Sequence, residues 1–316
     1  MRHLKLLLSL FCLLPGLGLA AASSPSAASS DLPAASATFT VGTLRVQQYG
    51  NRGRALILIP GLSSGPWAWQ GTIVHFKKDH VIYALTLAGF DGTPAPKAKT
   101  GFMTLADKSL IELIRSHHID KPVLVGHSLG ATLAIRFATE HSDLISGVVA
   151  VDGLPVFPLM SASQREATAQ QMRQLIGHMS QAEFKAQQLR FMQTIGLVDQ
   201  DRARHYAALS ADSDPDVMYE YAAEDMELDL RPQLKSITVP LLEISPYYKP
   251  DYVRYAKLNN RPLTTAKQKA DYYRQLLDGV PHVRVISIEG ARHFVMLDQP
   301  QKFFAILSSF LTGLAK

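Results

Sequence analysis

Residues 121–138 read KPVLVGHSLGATLAIRFA, and the reading of this stretch decides the fold. Residues 122–125 form an apolar run of strand length, and residues 129–139 an apolar run of helix length. Between them, Gly126-His127-Ser128-Leu129-Gly130 matches G-x-S-x-G. Five residues of that kind also occur by chance, so the match alone is weak. Directly after a strand and directly before a helix, it specifies a tight turn that presents one hydroxyl. In such a turn the serine takes a strained backbone, and the flanking glycines let strand and helix approach without a Cβ between them. The helix N-terminus behind Ser128 adds partial positive charge where an oxyanion would form.

Working outward, strands alternate with helices. Residues 40–48 and 55–59 read as strands, with a hairpin expected to turn at 50–53. A short helix follows at 67–76, a strand at 80–87, an amphipathic helix at 104–117 and a strand at 145–151. This order implies right-handed crossovers and a mostly parallel central sheet flanked by helices, an α/β fold. From 154 to 235 no strand is evident, and 164–176, 181–194 and 216–226 read as helices. The β/α pattern resumes with strands at 239–244 and 283–288 and helices at 265–277 and 301–314. The expected organisation is a core domain over 38–153 and 236–316, with an all-helical insertion at 154–235. Such an insertion hangs over the C-terminal sheet edge, where open α/β sheets bind ligands, and would act as a lid.

The N-terminus differs in kind. Arg2 and Lys5 precede an apolar run ending near Leu14, and Gly18, Ala20, Ala21 and Ala22 follow. Residues 1–22 therefore read as a signal peptide, and the protein as periplasmic or secreted. Pro15 and Gly16 break the run well short of the ~18 apolar residues of a membrane span, so no stable membrane insertion is expected after cleavage. Residues 23–37, rich in Ala, Ser and Pro, read as a flexible linker. Cys12 is the only cysteine, so the mature chain has neither a disulfide nor a thiol nucleophile. Of the formal charge of +5, the leader carries Arg2 and Lys5, which leaves +3 spread among interspersed acids. That balance implies no nucleic-acid partner. No phosphate-binding loop, dinucleotide fingerprint or His/Cys metal spacing is present, so no cofactor or metal is expected. The acidic residues Glu224, Asp225, Glu227 and Asp229 lack the glycine and ligand spacing of a calcium loop and read as a solvated helix face.

Four segments, Ile59-Pro60-Gly61-Leu62, the Ser128 turn, Val151-Asp152-Gly153-Leu154-Pro155 and Ala291-Arg292-His293-Phe294, resemble the α/β-hydrolase superfamily from about residue 38 onward. The resemblance implies a serine hydrolase with a helical lid. Ser128 would be the nucleophile and His293, after the last strand, its base. The resemblance leaves two places for the acid: Asp152, at the end of strand 145–151, is preferred, and Asp251, after strand 239–244, is the alternative. It also implies an oxyanion hole from the backbone N–H groups of Leu62 and Leu129. Pro60 departs from the family's usual histidine before the glycine and removes no donor. Family members that open epoxides use an aspartate where this chain has Ser128. Trp67 and Trp69 could line the pocket or belong to the core, and His127 reads as a packing residue. The expected activity is cleavage of a small-molecule carboxylic ester, or secondarily an amide or peptide bond, through an acyl-enzyme. A non-catalytic binding or scaffold protein on the same fold is the alternative.

Overall fold

The computed structural model describes residues 31–253 and 263–314. The expected leader and the linker up to residue 30 lie outside them. Eight strands form one sheet in the order β1-β2-β4-β3-β5-β6-β7-β8. They are β1 (Ala37–Val41), β2 (Leu44–Tyr49), β3 (Ala55–Ile59), β4 (Val81–Leu87), β5 (Val123–His127), β6 (Gly147–Val151), β7 (Leu241–Tyr247) and β8 (Val283–Glu289). β2 pairs antiparallel with β1 and β4, and all other pairs are parallel.

Parallel strands covered on both faces read as continuous apolar runs rather than alternating ones, and β3, β5 and β6 do so here. Ile57, Ile59, Val148 and Ala150 point into one core layer, and Leu56, Leu58, Val149 and Val151 into the other. Among the described residues the longer helices, in chain order, are α1 (Gln70–Phe76), α2 (Phe102–Ser116), α3 (Leu129–His141), α4 (Ala162–Arg173), α5 (Gln181–Phe191), α6 (Gln200–Ser210), α7 (Pro215–Glu227), α8 (Ala266–Leu276) and α9 (Pro300–Gly313). α2, α3 and α7 feed the first layer through Leu110, Leu113, Ala134, Val217 and Tyr221. α1 and α9 feed the second through Ile73, Phe76, Phe303 and Leu307. α4 to α7 all fall between β6 and β7. Among the described residues no helix is long and apolar enough to cross a membrane.

Several local expectations are corrected. Residues 40–48 are not one strand: Gly42, at φ 54°, turns the chain so that Val41 pairs with Leu44, making the hairpin there. Residues 50–53 instead lead from β2 to β3, which are not neighbours in the sheet. β7 runs on through Ser245-Pro246-Tyr247, paired to β8 as far as Tyr247↔Glu289. Pro246 is tolerated because β6 stops at Val151↔Ile244, leaving that edge of β7 without a partner strand to receive an N–H. α6 had not been read from the sequence; Asp199 caps it, accepting from the N–H groups of Asp201 and Arg202. The acidic residues near the end of α7 are engaged rather than simply solvated. Glu224 accepts the first N–H groups of α2, Glu227 pairs with Arg173, and Asp229 pairs with Arg165 and Arg231. Of the expected linker, residues 31–37 lie on the domain: Leu32 and Ala35 pack on the second layer and Ala37 opens β1.

Candidate active site

Ser128 sits between β5 and α3 at φ 53° and ψ −123°, a conformation that costs an L-residue energy and must be imposed by its surroundings. Its N–H donates to Val151 O (2.9 Å), and its carbonyl accepts from Ala131 N (2.9 Å) and Thr132 N (3.1 Å). The glycines are required by space. A Cβ on Gly126 would stand 2.1 Å from Gly130 O, and one on Gly130 would stand 2.3 Å from Ile59 O. The side chain is half-buried, and its hydroxyl makes no hydrogen bond among the described residues.

His293 lies in the loop after β8, and its Nδ1 is 2.6 Å from Asp152 Oδ2. Two consecutive residues at the end of β6 thus hold both groups: Val151 through the backbone of Ser128, Asp152 through the imidazole of His293. A carboxylate only accepts, so Nδ1 carries the proton and Nε2 keeps its lone pair for a hydroxyl. Asp251 is elsewhere engaged. It receives Arg292 Nε (2.7 Å) and Nη2 (2.9 Å), a bidentate pair, and makes no bond to His293. Of the two candidate acids, the fold brings Asp152 to the histidine.

The Gly61-Leu62 turn at the end of β3 borders the serine, since a Cβ on Gly61 would stand 3.0 Å from Ser128 Cβ. The N–H groups of Leu62 and Leu129 enter none of the backbone hydrogen bonds found among the described residues, leaving both as donors. Trp67 and Trp69 are core: Trp67 stacks on Tyr206 and Phe294 beneath the histidine loop, and Trp69 meets His127 and Phe303. The model of the Alpha/beta hydrolase family matches residues 56–306.

The chain belongs to the α/β-hydrolases.

A pimeloyl-[acyl-carrier protein] methyl ester esterase of Aeromonas hydrophila is 22% identical over 276 residues, covering 85% of this chain and 99% of that protein. Epoxide hydrolase 3 of Xenopus tropicalis is 29% identical over 102 residues, 32% of this chain and only 28% of that protein. A thermophilic esterase from Thermogutta terrifontis, solved with malate bound, superposes with a TM-score of 0.68 at 15% identity, covering 88% of this chain and 98% of that one.

Behind the acid, this α/β-hydrolase carries a buried polar cluster. Asp152 Oδ1 accepts from Tyr273 OH (2.6 Å) and lies 3.3 Å from Lys269 Nζ, which also donates to Pro246 O at 2.7 Å. Burial pushes the Asp152 carboxyl up, but the Lys269 charge and the hydrogen bonds from His293 and Tyr273 outweigh it and hold it well below the usual carboxylate range. Glu243 of β7 is fully buried, and its carboxyl oxygens lack a hydrogen-bond partner among the described residues. Burial first, and the Asp152 charge second, push it well above the ordinary glutamate range, which favours its neutral form. His127, buried against Phe294 with Nε2 3.1 Å from His293 O, is held neutral by burial and by the neighbouring His293. No motif in the sequence marked Lys269 or Tyr273; the lone carboxylate in Leu241-Leu242-Glu243-Ile244 was the available signal.

The helical insertion of this α/β-hydrolase docks on the histidine loop through carbonyls that a helix end leaves unpaired. α5 runs into a π-helical turn, Met192–Gly196. Ile195 O accepts His293 N (3.1 Å), and Gly196 O accepts Phe294 N (3.0 Å). Arg292 Nη1 donates to Gln193 O (2.7 Å) and Leu197 O (2.8 Å). α6 is tied to the loop after β3 by Ser210 Oγ donating to Ser63 O at 2.8 Å. A separate cavity of about 380 Å³, lined by Phe157, Met160, Arg165, Arg231 and Tyr272 among others, touches none of Ser128, Asp152 and His293. Both its arginines are already paired with Asp229, so it does not compete as the site of chemistry.

Proposed function

We propose that the protein is an exported serine hydrolase that cleaves a carboxylic ester, and secondarily an amide, through an acyl-enzyme. Ser128 Oγ attacks the carbonyl carbon while His293 Nε2 takes its proton. The oxyanion is received by the N–H groups of Leu62 and Leu129, and His293 returns the proton to the leaving alkoxide. Water then repeats the steps on the acyl-serine and releases the acid. Asp152 orients the imidazole and stabilises its charged form. The observation that carries this reading is the hydrogen bond of 2.6 Å between His293 Nδ1 and Asp152 Oδ2, at the sheet edge that also holds Ser128. The esterase activity named for the Aeromonas relative supports it, and a serine rather than an aspartate at the elbow argues against epoxide opening. The helices between β6 and β7 form the cap of the substrate site, and residues 1–22 direct export.

A panel of p-nitrophenyl esters of increasing acyl length, set beside aminoacyl anilides, tests the chemistry. Wild type should hydrolyse esters and be labelled by an organophosphonate, and Ser128→Ala should lose both while keeping its circular dichroism spectrum. Equal labelling of the two proteins overturns the assignment. For export, mass spectrometry of the mature protein should place its N-terminus between Ala20 and Ser24.

A further inference from the structure

We propose that Lys269 is a positioning residue whose charge, set against Asp152, determines how far towards acid pH the Ser128 site works. The proposal rests on the serine-hydrolase reading above. Lys269 is on α8 and only 5% exposed, an uncommon position for an ammonium. Its partners account for it: Pro246 O at 2.7 Å, Asp152 Oδ1 at 3.3 Å, and the rings of Tyr252 and Tyr273 at 5.4 and 4.8 Å from Nζ.

The groups facing this cluster come from every packed element. Asp152 stands at the end of β6 and Glu243 in β7. Tyr252 follows β7, Tyr273 lies one turn along α8, and His293 lies across Asp152 with His127 behind it. Burial favours the neutral forms of Glu243 and His127, Tyr273 donates a hydrogen bond to Asp152, and Arg292 of the histidine loop is paired with Asp251, so the charges set directly against the imidazolium are Asp152 and, behind it, Lys269. The imidazolium therefore meets a carboxylate whose field is already partly cancelled by an ammonium on its other oxygen. Taking that ammonium away would leave the whole field of the Asp152 carboxylate on the imidazolium and so favour the charged form, which cannot serve Ser128 as a base. Removing the charge should move the acid limb of kcat/KM up by about one pH unit, a loss of about tenfold at the acid edge.

Two variants of the full chain separate charge from tether. Lys269→Met removes both the charge and the donor to Pro246 O, whereas Lys269→Gln keeps an N–H donor and removes only the charge. The readouts are the pH dependence of kcat/KM on a p-nitrophenyl ester and the NMR titration of the His293 imidazole. The expected result is an upward shift of about one unit in both variants and in both readouts. Unmoved midpoints in both overturn the proposal, as does a Gln variant that tracks wild type while only the Met variant moves, since that marks a structural tether. Should the Met variant fail to fold, the Gln variant decides by the same criterion. Absence of ester turnover by wild type would count against the serine-hydrolase reading, while the imidazole titration would still decide the role of Lys269.

Discussion

Replacing Asp152 by asparagine keeps the side-chain shape and removes the charge, and its neighbours dictate how the amide must sit. Lys269 Nζ and Tyr273 OH both point at Oδ1, at 3.3 and 2.6 Å, and an ammonium can only donate. The amide oxygen must therefore face them, which turns the NH₂ towards His293 Nδ1, now obliged to accept. The imidazole proton moves to Nε2, the atom that should take the proton of Ser128. With base and serine in mismatched states, kcat should fall by about 10³- to 10⁴-fold, or about 4–5.5 kcal/mol, with KM little changed. The same substitution strips Lys269 of its counter-charge in a buried setting, which should cost about 3 kcal/mol of stability, so rates must be taken well below the lowered Tm. Steady-state hydrolysis of a p-nitrophenyl ester at neutral pH is the assay, with Asp251→Asn beside it. Asp251 serves Arg292 through bonds of 2.7 and 2.9 Å and should cost less than about tenfold. A loss below tenfold for Asp152→Asn, or a larger loss for Asp251→Asn, would refute the reasoning.

Glu243→Gln tests the buried carboxyl through the pH dependence of stability. The folded chain keeps that proton at pH values where the unfolded chain has lost it, so stability drains away as pH rises from the ordinary glutamate value towards the raised folded one. Glutamine cannot titrate, so the Tm advantage of the variant over wild type should grow as pH rises above the ordinary glutamate value; a difference independent of pH contradicts the assignment of a neutral Glu243. Gly130→Ala would push a Cβ to 2.3 Å from Ile59 O and 2.6 Å from Pro60 O, both main-chain atoms that cannot yield cheaply. A loss of about 3 kcal/mol in urea unfolding is expected, and a loss under about 1 kcal/mol would mean the elbow is looser than described.

The elbow was legible because its signal is local: an apolar strand, a turn of small residues and an apolar helix lie within eighteen residues of sequence. His293 was legible for a similar reason, following the last strand through a short turn. The acid was not, because choosing between Asp152 and Asp251 depends on which side chain reaches an imidazole more than 40 residues away in sequence, and spacing carries no such distance. Lys269 and Tyr273 lie on one face of an ordinary amphipathic helix, where a lysine reads as solvated until tertiary packing covers it. The hairpin was misplaced because Gly50 and Gly53 gave a louder turn signal than Gly42, although Gly42 takes the positive φ that lets Val41 pair with Leu44.

The docking of the π-helical turn bears on how such a protein diversifies. All four oxygens that receive the histidine loop, those of Gln193, Ile195, Gly196 and Leu197, belong to the main chain. Any side chain compatible with a helix offers the same carbonyls. The exposed residues of α5 and the turn can therefore be exchanged, by drift or in a library, without unlatching His293 from its seat, whereas Phe184 and Met192, fully buried in the core, cannot. If these helices cap the substrate site as proposed, shape and polarity at the exposed positions of α5 become variables separable from the chemistry beneath, and those positions, rather than the sheet edge, are the place to recode preference.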